Sequence, residues 1–291
     1  MRNGVLRRKR YRSQKSRKIT RIILISGGAV ILAAAFLIVF VKVLLPPLRY
    51  QKAVRLYTEG SYEEASSLFA RLGDYKDSAD YAGRCEEILR MAAIRNAKTG
   101  DTIVFGSYEQ DNDTENGTEP IEWLVLAREG DRILVISAYA LDAQIYNSDY
   151  TDIRWETCYI RSWLNGTFLP QAFSEEEISM IPTVTVVPDV DPIHDLPQEN
   201  ATEDQVFLLS VTEVNKYFNS IQARACRGTE YCYAQRAYRA YSGYCWWWVR
   251  SPGSYRDAAY VSAVGSVCWA GHSVFHDLRG IRPAMWIDVG F

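Results

Sequence analysis

Cys226, Cys232, Cys245 and Cys268, together with His272, His276 and Asp277, are residues near the C-terminal end of this chain whose types could carry a reaction or hold a metal. Cysteines react as thiolates or pair as disulfides, and both require a partner at close range. Four of them allow three pairings that spacing alone does not rank. Buried thiols acting as small apolar residues are an equally weighted reading. The two histidines stand four apart, a spacing that converges on one ion only along a helix, and Gly271, Ser273 and Gly280 mark this stretch as loop. A solvent-facing or hydrogen-bonded histidine is the better reading, and no metal or cofactor is assigned. The acidic run Asp111, Asn112, Asp113, Glu115, Asn116 has a calcium-like composition. It lacks the glycine and bidentate glutamate positions of a calcium loop, so a solvated turn is expected. Asn112, Asn116, Asn165 and Asn200 open N-x-Thr sequons, which matter only in a glycosylating host.

Aromatic side chains say more. All eight Trp lie beyond residue 101, and seven Tyr fall between Tyr231 and Tyr260 among Gly, Ser and Arg. Such mixtures suit recognition, because rings offer contact area at small entropic cost and stack on sugars or peptide side chains. If Trp246, Trp247 and Trp248 form a strand, Trp247 faces one way and its neighbours the other. Trp247 and Trp248 are read as core. Arg250 and Arg282 sit beside residues that read as buried strand, and a buried guanidinium must be paired. They are assigned to bracing loop backbones, with Gly253 and Gly280 as the accompanying structural glycines. The expected ligand contacts are then Tyr241, Tyr244, Tyr255, Trp269 and His272, on the glycine-rich segments those arginines hold.

These residues need a scaffold, which runs from about 101 to 291. Ile121 to Leu126 and Ile133 to Ile136 read as strands of a hairpin turning at Glu129-Gly130-Asp131. Ser174-x-x-Glu177 and Ser210-x-x-Glu213 are capping boxes that open short helices. Further strand patterns occupy 183–187, 206–209, 246–249, 259–264 and 282–287, with a Pro- and Asp-rich loop from Pro188 to Asp204. No βαβ rhythm appears, so the class is α+β.

Upstream, 48–99 reads as a helical stalk: two amphipathic helices meet at Gly60-Ser61, and a third runs from Ala79 to about Lys98. The G-x-Y-x-x-A-x-x-x-F run resembles the middle of a tetratricopeptide repeat, although a solenoid needs about three such units. Residues 22–45 contain an uncharged stretch, Ile22 to Val41, that as a helix would span about 30 Å and is expected to cross a membrane. Ten of the 33 Lys and Arg precede it in a basic tail, 1–21, which the positive-inside rule places in the cytoplasm with the rest outside. The other 23 face all 35 Asp and Glu. Such an acidic bulk argues against nucleic acid as a partner.

The runs Phe105-Gly106-Ser107-Tyr108-Glu109-Gln110, Pro120-Ile121-Glu122-Trp123, Arg161-Ser162-Trp163-Leu164-Asn165, Phe207-Leu208-Leu209-Ser210, Trp247 to Gly253 and Gly280 to Ala284 resemble a family described as domain of unknown function 6273, over about 101–291. That family implies no activity. Trp248-x-Arg250-Ser251-Pro252-Gly253, Gly265, Gly271 and Gly280-Ile281-Arg282 are also similar to sulfatase-modifying (formylglycine-generating) domains of the C-type-lectin-like fold. This resemblance implies a loop-rich α+β domain whose loops bind ligands. The expected function is a single-pass membrane protein displaying a lectin-like module toward a wall glycan, peptide or surface protein. The alternative is an exported enzyme of the formylglycine-generating kind, using a cysteine pair or a metal.

Overall fold

Buried and exposed positions alternate over residues 102–105 and 120–123, whereas residues 133–137 and 247–253 are buried throughout. In the computed structural model, residues 36, 40–152, 154–189, 199–275 and 278–290 are described. The chain divides into two compact units, Met1–Met91 and Ala92–Phe291.

The first unit contains helices α1 (Leu45–Thr58) and α2 (Tyr62–Leu72) and most of α3 (Ser78–Asn96). Gly60 makes the turn between the first two at φ +80°, a conformation costly for any residue with a Cβ. Ala53, Ala65, Phe69, Ala82 and Cys85 form the buried centre, with Tyr50, Tyr57 and Tyr81 packed on it. Small residues let the helices approach, and Phe69 stacks on Tyr81 at 4.9 Å in the space this leaves. This is a three-helix cluster packed around Phe69.

The expected membrane span over 22–45 is corrected, and with it the single-pass anchoring, the cytoplasmic tail 1–21 and the extracellular placement of the rest. Among the described residues no helix is long and apolar enough to cross a membrane. The physical reason lies in the charges: the helical segment from Phe40 carries Lys42 and runs on into α1 with Arg49, Lys52 and Arg55. Most of Ile22 to Val41 lies outside the described residues.

In the second unit the strands, in chain order, are β1 (Thr102–Tyr108), β2 (Glu119–Glu129), β3 (Arg132–Ser137), β4 (Asp142–Gln144), β5 (Val184–Val186), β6 (Thr202–Asp204), β7 (Val206–Phe207), β8 (Cys226–Arg227), β9 (Tyr244–Cys245), β10 (Trp247–Ser254), β11 (Asp257–Val261), β12 (Val267–Ser273), β13 (Arg279–Ile281) and β14 (Ala284–Asp288). One five-stranded sheet has the order β1-β2-β3-β14-β7, the other β12-β11-β10-β13-β4. Neighbours are antiparallel throughout except for β10 and β13. Two short ribbons, β5-β6 and β8-β9, complete the pairing. The β2–β3 hairpin turns at Gly130 with φ +58°. Both capping boxes form, at Ser174 with Glu177 and at Ser210 with Glu213. The architecture is therefore α+β. Its deepest large side chains include Trp123, Trp247, Trp248, Arg279 and Tyr146.

Candidate functional site

Residues paired across antiparallel strands share a face of the sheet, and neighbours along a strand alternate. Trp247 pairs with Val261 and with Gly280, while Trp248 pairs with Tyr260. Tyr260 in turn pairs with Cys268, and Ala258 with His272. Trp246, Trp248, Tyr260, His272 and Arg279 consequently lie on one face of the second sheet, and Trp247 lies on the other.

Arg279 is the centre of that first face. It is only 2% exposed, and its guanidinium sits 4.2 Å from the Tyr260 ring centre, 4.6 Å from Trp248 and 4.9 Å from Trp246. A cation against the electron-rich faces of rings is attractive, more so away from water. Outside this cage the rings continue as a row: Tyr238 packs on Trp246 at 4.5 Å, Trp246 on Tyr260 at 5.4 Å, and Tyr260 meets His272 edge-on at 6.4 Å. Tyr238 and His272 are exposed, whereas Trp246 and Tyr260 are half-buried. The Trp248 indole Nε1–H donates to the Gln144 carbonyl at 3.0 Å, which fixes that ring from the β4 side. The arrangement is a row of partly exposed rings fixed by their mutual packing.

The opposite face is sealed. Trp247 donates to the Arg224 carbonyl at 3.1 Å and lies under the Arg282 guanidinium, which is also 5.4 Å from the Phe218 ring. Arg282 Nε donates to the Ser137 carbonyl at 2.9 Å. Arg250 donates to the Leu208 carbonyl at 2.9 Å, the Val187 carbonyl at 3.1 Å and the Glu213 carboxylate. Ser251 donates to Asp189 and accepts from the Val211 amide at 2.8 Å. Gly253 and Gly271 approach backbone to backbone: a Cβ on Gly253 would sit 2.5 Å from Gly271 Cα. A Cβ on Gly280 would meet Ala140 Cβ at 2.7 Å.

Of the residues expected to touch ligand, His272 alone joins the ring row. Tyr244 lies in β9 with the Arg227 guanidinium 5.2 Å over its ring. Tyr241 and Tyr255 stand exposed on turns, and Trp269 is half-buried in β12. His276 and Asp277 lie outside the described residues. Sequence reasoning missed Arg279, Trp246, Tyr238 and Tyr260 as members of one site. The available signal was the alternation of Trp246 and Trp248 about Trp247; nothing local marked Arg279, whose strand is three residues long.

Elsewhere the carboxylates of Glu109, Asp111 and Glu119 converge, their oxygens within 4.8 Å of one another. Glu119 already accepts the Gln110 and Asp111 amides, and Asp111 accepts the Asp113 amide and the Asn116 side chain. The group ties a turn together. Asp142 is a second unusual carboxyl: burial raises its pKa, and Tyr108 Oη–H donates to it at 2.6 Å. All six cysteines are free thiols. Burial pushes Cys158 up to about 12 and Cys232 higher still.

Fold and site thus define an α+β domain of two five-stranded sheets, one of which bears an outward aromatic face around a buried arginine. The chain belongs to the family described as domain of unknown function (DUF6273), whose model matches residues 130–289. No curated protein and no solved structure matches the chain.

Proposed function

We propose that the larger unit is a ligand-recognition module whose contact surface is the row Tyr238, Trp246, Tyr260 and His272. The observation that supports it is the way Arg279 holds three rings from behind while the outer rings stay open to solvent. A stacking surface on a sheet is rigid before binding, so little affinity is lost to ordering. The ligand class that fits is one with a flat or apolar face and polar edges, such as a glycan ring or a peptide with planar side chains. Tyr and His supply hydroxyl and ring nitrogen groups at the rim to meet those edges.

The test is an array of glycans and peptides probed with the full chain, followed by affinity measurement of the hits against Tyr238→Ala and His272→Ala. Hits weakened by both changes, with the melting temperature kept, support the reading. Hits indifferent to both place the site elsewhere.

A further inference from the structure

On the other side of the second sheet from the rings, two cysteines meet. Cys226 and Cys245 are direct partners across the antiparallel ribbon β8-β9. Direct partners in such a ribbon have Cα atoms about 4.5 to 5.5 Å apart, and a disulfide needs about 4.4 to 6.8 Å between them. Both are buried and both are free thiols. Cys245 Sγ also lies where a Cβ on Gly280 would crowd it at 3.1 Å, so the glycine leaves the sulfur its room. A third observation singles out this pair: Arg282 is 4% exposed, and its Nη1 has no hydrogen-bond acceptor among the described residues. Its positive charge acts on both sulfurs.

We propose that Cys226 and Cys245 form a redox-active dithiol that closes to a disulfide by exchange with a small-molecule disulfide such as glutathione disulfide. Cys226 is the attacking sulfur. Burial raises both thiols, but the Cys245 thiol donating to Cys226, the Arg282 charge and the Ala140 amide outweigh it at Cys226, bringing it down to about 7. Cys245, as the donor of that hydrogen bond, goes well above its ordinary value. The Cys226 thiolate attacks one sulfur of the oxidant, and one glutathione leaves as its thiolate. Cys245 sulfur then attacks Cys226 of the mixed disulfide; the second glutathione leaves and takes up the Cys245 proton. Two electrons pass from the dithiol to the oxidant, giving one protein disulfide and two thiols. Access comes from opening the ribbon, which is two residues long on each side. Cys232 is the neighbouring thiol, but burial holds it well above its ordinary value, and its Sγ donates to the Asp142 carbonyl at 3.1 Å. Closure ties 226 to 245, just ahead of Trp246, and so fastens the entry to β10. This site is independent of the ligand surface proposed above.

The experiment incubates the reduced full chain, native and at neutral pH, with glutathione disulfide to equilibrium, then blocks remaining thiols in denaturant and determines mass and peptide map. The expected result is four blocked thiols in place of six, a peptide joining Cys226 to Cys245, a higher melting temperature and full reversal by dithiothreitol. In Cys226→Ala no joined peptide forms, while Cys268→Ala, at a site away from the pair, keeps it. Six blocked thiols in the wild-type chain, a lasting glutathione adduct, or a bridge to Cys232 would each overturn the proposal, and these outcomes are read on the wild-type chain whether or not a variant folds.

Discussion

The two faces of β10 set the same residue types in different surroundings. Trp247 and Arg282 stack on the inward side, both buried and each with a backbone carbonyl accepting its N–H. Trp246, Trp248 and Arg279 stack on the outward side in similar geometry, yet the rings continue to the solvent through Tyr238 and His272. A tryptophan beside an arginine therefore says nothing by itself about function. What separates a brace from a surface is whether the ring row ends inside the protein or outside it.

The strongest way to break this comparison is to cut a buried brace. Arg250→Ala takes a donor from the Glu213 carboxylate and from two carbonyls, and removing one partner of a buried pair costs about 3–5 kcal/mol. Thermal or urea unfolding should show that loss; a variant as stable as the parent would mean the guanidinium is not bracing the fold. Trp247→Ala should cost a similar amount, about 3–5 kcal/mol from lost burial and the cavity left behind, and should do so whether or not ligand is present.

The outward face predicts the reverse pattern. Tyr238→Ala removes an exposed ring, so its stability should change by no more than about 0.5 kcal/mol, while affinity for an array-identified ligand drops several-fold. A stability loss as large as that of Trp247→Ala would make the row structural.

The unit boundary gives a smaller effect. Ile94 and Ala97 are buried, and Arg128 donates to the Arg95 and Ala97 carbonyls. A chain begun at residue 92 should therefore be more stable than one begun at 100 by about 2 kcal/mol, chiefly the burial of one isoleucine. Equal unfolding midpoints would show that the end of α3 adds nothing.

The smallest concerns pH. The buried Asp142 carboxyl has its folded pKa raised above its ordinary 3.8, so its contribution to stability is fully present below 3.8 and is lost as pH rises through the raised value. Asp142→Asn removes that loss and should be more stable than the parent at neutral pH. The gain should vanish in acid. A melting-temperature profile parallel to the parent's from pH 3 to 8 would contradict it.

Local patterns were readable in the sequence where they were long or chemically distinct. The β2–β3 hairpin announced itself by alternation and a glycine turn, and the capping boxes by their Ser and Glu spacing. The opposed directions of Trp246 to Trp248 follow from the two-residue period. The pieces that assemble the site were not readable, because β4, β8, β9 and β13 are two or three residues long and carry no period. Arg279 reaches the tryptophans only through the parallel pairing of Gly280 with Trp247, a contact set by the whole sheet. Tyr241 and Tyr255 are read as ligand contacts in sequence because their segments carry Gly243 and Gly253, and neither stands in the ring row. Over Ile22 to Val41 composition suggested a span, and among the described residues no helix is long and apolar enough to cross a membrane.

The most direct measurement compares one array-identified ligand against two single changes, Tyr238→Ala in the row and Tyr255→Ala on its exposed turn, with melting temperatures taken alongside. The outward-face account predicts that Tyr238→Ala weakens binding at least tenfold, about 1.4 kcal/mol, and that Tyr255→Ala leaves it unchanged, with both variants melting as the parent does. Binding lost in Tyr255→Ala and kept in Tyr238→Ala would contradict it, and would return the site to the glycine-rich turns.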